Sequence, residues 1–100
     1  MIAANISKQT VPFQYAGIVN ISLFEAIRTL TRANVELTGD VSGVTYEILG
    51  QKSGWSLHFL FPNSNGTLTV KLKGTVQKTD NSEGALENIQ ETFKYISWRD

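Results

Sequence analysis

The chain has 100 residues, 41% hydrophobic and 18% charged, which is one domain with enough apolar material for a single core. Nine basic and nine acidic side chains cancel without forming a run of like charge, so the sequence carries no electrostatic footprint for nucleic acid. Cysteine is absent, which removes disulfides, thiolate catalysis and cysteine-based metal sites, and His58 is the single histidine.

The N-terminal stretch MIAANISKQT lacks the basic and apolar regions of a secretory signal, and no apolar run reaches the length of a membrane span. A domain that works outside a cell would then be a piece of something longer. The next segment, NISLFEAIRTLTRANVELTG from Asn20, has two readings. Ser22 and Glu25 form a capping box, with Leu23, Ile27 and Leu30 on one helical face. Val19, Ile21 and Leu23 also alternate with Asn20 and Ser22, as in a half-buried strand.

Beyond that point the strand signals are clearer. VTYEIL (44–49) sets Val44, Tyr46 and Ile48 on one face, and WSLHFLF (55–61) does the same for Trp55, Leu57, Phe59 and Phe61. TLTVKLK (67–73) puts Leu68, Val70 and Leu72 inward, and the three segments are expected to form an antiparallel meander. Leu86, Ile89, Phe93 and Ile96 have helical spacing, whereas the alternation and aromatic content of TFKYISW (92–98) favour a strand. Helical choices at both ends give an α+β order α-β-β-β-α; strand choices give about seven short strands, the pattern of an all-β antiparallel sandwich.

A longer pattern favours the sandwich. Leu23-Phe24-Glu25-Ala26-Ile27, an apolar anchor at Leu30, and Asn34 to Gly39 are followed by Val41-Ser42-Gly43 and a strand opening on Trp55. Pro62-Asn63-Ser64-Asn65-Gly66-Thr67-Leu68-Thr69-Val70 comes next, then Gly74, Asp80, Gly84, Asn88 and a last strand from Phe93 to Asp100. In this order residues 18–100 resemble a bacterial immunoglobulin-like repeat of the kind found in tandem in large surface and adhesin proteins, and the Pro62-to-Val70 block is the most specific part. Phe24 stands where that family usually has Ser, and the 74–80 loop is longer than usual.

The resemblance implies an immunoglobulin-like β-sandwich serving as a structural or adhesive extracellular module, with calcium at repeat junctions in some relatives. Glu25, Asp80 and Asp100 are the positions it suggests for such a metal. The partners it implies are neighbouring repeats of the same polypeptide, with a surface protein or a carbohydrate as ligand, and a monomer is expected.

The residues themselves offer little chemistry. His58 alternates with the apolar face of its strand and is expected to face solvent, without the nucleophile and orienting partner that a catalytic histidine needs. Glu25, Glu36, Asp40, Asp80, Glu83, Glu87 and Asp100 are too scattered for a dedicated calcium loop. Asn5, Asn20 and Asn65 match N-x-S/T, and the DNSEG and NSNG segments read as turns. Phe13, Tyr15, Phe61 and Trp98 form either an exposed aromatic patch or core and edge packing. No residue is assigned to catalysis or cofactor binding, and the expectation is a non-enzymatic module. Rival readings are a small α+β binding module, disfavoured for RNA because TDNSEGALEN is acidic, and a phage or virion component.

Overall fold

A computed structural model describes residues 1–99. Its elements are β1 (Ala4–Ser7), β2 (Ala16–Ile27), a 3₁₀ turn (Arg32–Asn34), β3 (Val35–Gly39), β4 (Thr45–Leu60), β5 (Gly66–Leu72), β6 (Thr75–Gln77), β7 (Glu83–Ala85) and β8 (Gln90–Tyr95). The described residues contain no α-helix, so the α-β-β-β-α order is overturned.

One sheet runs β1-β2-β4, a second runs β3-β5-β8, and β6-β7 form a separate hairpin; every named strand pair is antiparallel. β4 is not one straight strand. Sixteen extended residues would reach about 53 Å, yet the Tyr46 and Phe59 rings lie 5.5 Å apart. A Cβ on Gly50 would meet the Gly54 carbonyl oxygen at 2.3 Å. The element therefore folds back into arms 45–50 and 54–60. Positive φ at Gly50 (139°) and Lys52 (57°) turns the chain, and Trp55 Nε1 donates to the Lys52 carbonyl at 2.9 Å. Counting both arms, four strands face three, in a sandwich of about seven strands plus the β6-β7 hairpin.

Burial explains why the helical option at residue 20 loses. As the central strand of its sheet, β2 pairs with both β1 and β4 and buries Val19, Ile21, Leu23 and Ile27, while Asn20, Ser22 and Phe24 stay outside. A helix there would bury only Leu23, Ile27 and Leu30 on its apolar face and would orphan two strand edges. The strand runs on to Ile27, past the Val19–Leu23 alternation, with an irregular register between Ser22 and Ile27. A connection holding the 3₁₀ segment follows, the apolar anchor Leu30 is buried, and β3 begins at Val35.

The expected meander needs correction. Residues 67–72 do not pair with β4 but lie between β3 and β8 in the opposite sheet. The helical spacing of Leu86 to Ile96 is also overturned, since Gln90–Tyr95 is a strand that buries Phe93 and Tyr95.

Between the sheets lie Leu57, Phe59, Leu68, Val70 and Leu72, all essentially unexposed, with Phe13 and Phe59 each in ring contact with both Phe61 and Phe93. Each large side chain buried in this way contributes about 1.5–3 kcal/mol relative to exposure. Residues before β2, to which the sequence assigns no element, supply Ile2, Ile6 and Phe13 to this core. Ile2 bridges to Leu86 and Phe13 bridges to Tyr95, both parallel.

The buried polar residue is Asn34, 4% exposed. Its Oδ1 accepts from the Thr31 backbone N–H (3.1 Å) and hydroxyl (3.0 Å), and its Nδ2 donates to the carbonyls of Lys73 (3.1 Å) and Thr75 (3.2 Å). It joins the β2–β3 crossover to the β5–β6 turn, where Gly74 has φ of 80°.

Close packing, not backbone conformation, sets Gly66. Its φ is not positive; a Cβ there would lie 2.3 Å from the Tyr95 ring, whose hydroxyl donates to the Asp40 carbonyl at 2.8 Å.

The molecule measures 50 × 21 × 20 Å. Ala4 lies beside Leu23, whereas Tyr95 lies beside Gly66 and Ala16 beside Leu60. The chain therefore enters the sandwich at the Ile27 end of β2 and leaves its last strand at the opposite end.

Candidate functional site

The alternation of β2 and β4 turns Ile18, His58 and Leu60 to the outer face of their sheet, where Ile18 and Leu60 are half exposed. With Ala16, Thr45, Glu47 and Arg32 they border an open groove of about 640 Å³. Arg32 reaches it from the 3₁₀ turn: its guanidinium donates to the Tyr46 carbonyl (2.5 Å) and lies 4.4 Å over the Tyr46 ring. The floor is aliphatic and the walls carry one cation, one carboxylate and one imidazole.

His58 points outward, as its position in the strand suggests, and its Nε2 is 2.9 Å from Ser56 Oγ. A hydroxyl and an imidazole two residues apart on one strand make a hydrogen-bonded pair. Nucleophilic catalysis also needs a group orienting the imidazole and donors for an oxyanion. Among the described residues neither the Glu47 carboxylate nor any other acid bonds the ring.

The positions suggested for a metal are separately engaged. Glu25 forms an ion pair with Lys78 at 3.0 Å. Asp80 Oδ1 accepts from the Ser82 hydroxyl (2.5 Å) and backbone N–H (3.0 Å); these two bonds, the hydroxyl's first, hold its carboxyl below the ordinary range, with a smaller contribution from Lys78. Asp100 lies outside the described residues. Among the described residues no three His, Asp or Glu side chains gather into a metal-binding group.

The aromatic set divides in two. Phe13 and Phe61 are core residues, whereas Tyr15 and Trp98 meet edge to face (5.5 Å) on the surface, with Arg99 5.5 Å over the indole. Around them Asn63 and Asn65 hold the last residues: Asn65 Oδ1 accepts from Ser97 N–H (2.7 Å), and Asn63 Oδ1 from Ser97 Oγ (2.6 Å) and Arg99 N–H (3.1 Å). Trp98 Nε1 donates to the Phe61 carbonyl at 3.3 Å. The NSNG segment thus ties down the exit of the chain, a task that its turn-forming composition does not reveal. Asn5, Asn20 and Asn65 are all exposed.

No protein-family model matches this chain, and no curated protein or solved structure does.

Proposed function

We propose that this domain is a non-enzymatic immunoglobulin-like module of a larger cell-surface or secreted protein, acting as a spacer or adhesive unit beside neighbouring repeats. The observation that carries the reading is the path of the chain, which enters one end of a 50 Å sandwich and leaves at the other. Such a path lets domains follow one another in line, each adding its length to the reach of the whole. Two supports accompany it. Four strands against three, with the chain crossing between sheets after β2, β3 and β4, is the arrangement of immunoglobulin-like sandwiches. The Pro62-to-Val70 block opens β5, the middle strand of its sheet.

The mechanism is mechanical. Tension applied at the two ends shears the β1–β2 ladder and the Phe13–β8 bridge along the strands, loading several hydrogen bonds at once. End loops such as 39–43 and 62–65, and the Tyr15–Trp98 pair, are where a neighbouring repeat, a surface protein or a carbohydrate would be met. Calcium at such a junction would have to compete with Lys78 for Glu25.

Single-molecule stretching of a polyprotein containing this domain tests the proposal. One cooperative event should release about 300 Å of chain, the extended length of the sequence less the folded 50 Å. Smooth extension without a resolved unfolding event, or detection of substrate turnover, would sink it.

A further inference from the structure

The two sheets have four edges, and each of three carries a feature that shortens or interrupts it. β1 is only four residues long and leads into Lys8. The edge at arm 45–50 is interrupted by Arg32, whose guanidinium takes the Tyr46 carbonyl. The edge of β8 is covered at its Tyr95 end by Phe13, through bonds from Phe13 N–H to the Lys94 carbonyl and from Ile96 N–H to the Phe13 carbonyl. Natural proteins blunt their edges in these ways because a bare edge templates further pairing. β3 is the remaining edge.

The bonds at its two ends set the direction of every backbone group in β3. Lys73 N–H donates to the Asn34 carbonyl and Asp40 N–H donates to the Thr67 carbonyl, so even-numbered residues bond towards β5. Those of Val35, Leu37 and Gly39 point away from the sheet. Two outward groups are already used inside the chain: Val35 N–H donates to the Arg32 carbonyl, and the Gly39 carbonyl accepts from Val41 N–H. Among the described residues, the Val35 carbonyl, both Leu37 groups and the Gly39 N–H have no protein partner.

That residual set is self-complementary. A two-fold axis at Leu37 places each Leu37 N–H against the other Leu37 carbonyl, and each Gly39 N–H against the other Val35 carbonyl. Four bonds form, and no outward group remains unpaired. On the outer face Glu36 then opposes Thr38 of the other copy, so no like charges meet. On the inner face the half-buried Leu37 side chains meet one another.

We infer that β3 pairs antiparallel with β3 of a second copy of this chain, joining two three-stranded sheets into one of six. The surface involved is far smaller than the ~800 Å² per partner of a stable interface, so assembly is weak and concentration-dependent. This replaces the monomer that the sequence suggests with a monomer–dimer equilibrium.

Sedimentation equilibrium from about 10 µM to about 1 mM, a range suited to an interface this small, tests the inference. Backbone amide exchange by NMR should show Glu36 and Thr38 protected throughout, and Leu37 and Gly39 gaining protection only as concentration rises. Leu37→Pro removes an outward N–H that the monomer's own ladder does not use, so it should abolish dimerisation. Thr38→Lys adds two ion pairs to Glu36 across the axis and should tighten the dimer about 2- to 30-fold, whereas Thr38→Glu should weaken it by a similar factor. These two variants keep the test decisive if the proline variant does not fold. A chain monomeric throughout the range, a dimer indifferent to both Thr38 variants, or charge effects of the opposite sign would overturn the inference.

Discussion

Replacing Asn34 by Asp tests whether one buried amide holds two parts of the sandwich together. The substitution keeps an oxygen for the Thr31 N–H and hydroxyl but turns the Nδ2 donor into an acceptor facing the Lys73 and Thr75 carbonyls, at 3.1 and 3.2 Å in the parent. Two hydrogen bonds are lost at about 1 kcal/mol each, and setting a buried acceptor against the two carbonyls adds about 1–3 kcal/mol, for a total of about 3–5 kcal/mol. In a domain of this size that lowers the melting temperature by roughly 12–40 °C. The pH dependence separates this account from simple loss of volume. Burial beside two carbonyl oxygens raises the native pKa of the new carboxyl above its unfolded value. The folded state then binds more protons than the unfolded state, so the penalty grows as pH rises through the interval between the two values and shrinks below it. Urea denaturation of parent and variant at pH 7 and pH 4.5 measures the difference. A penalty below about 0.5 kcal/mol, the level of an ordinary surface change, would refute the reasoning, as would a penalty of equal size at both pH values.

Three further expectations use the same measurement. Gly66→Ala forces the Tyr95 ring aside and should cost about 1–3 kcal/mol, while Gly54→Ala, where a Cβ meets nothing within 4 Å, should stay within about 0.5 kcal/mol; equal effects would remove the close-approach explanation. Phe13→Ala empties a site stacked on Phe61 and edge-on to Phe93 and should cost about 3–5 kcal/mol, and a smaller loss would mean that the segment before β2 is dispensable. Asp80→Asn removes a stabilisation that is present above the ordinary carboxylate range and lost as pH falls through the lowered native pKa; the difference between parent and variant should vanish in acid, and one that persists there would point to another cause.

Much of the core was legible because alternation reports which side of a strand faces inward. Val19, Ile21, Leu57, Phe59, Leu68 and Val70 are buried as their spacing indicates. Alternation is silent on which strand lies alongside. Residues 67–72 have the same apolar period whether they continue a meander or cross to the other sheet, and the crossing is decided by how two sheets share one core. Ile2 and Phe13 were not legible because they sit in irregular segments whose bridge partners lie some 80 residues away, and Ile6 because its strand is only four residues long. The role of Asn34 was not legible, since two of its four bonds go to the carbonyls of Lys73 and Thr75, positions that the local sequence does not connect to it. At the surface, the outward direction of His58 could be read from its strand, but Arg32 and Glu47 meet it only through the crossover and the fold-back at 51–53.

The pairing of Phe13 with Tyr95, and of Ile2 with Leu86, also governs how the protein is made. At about 5–20 residues per second, roughly 80 residues of synthesis separate Phe13 from its partner, an interval of about 4–16 s. During that time Ile2 and Phe13 lack their bridge partners, and the nascent chain carries exposed apolar side chains near its start. Closure waits for the last strand to emerge, so this domain completes its fold only after nearly all of it has been translated.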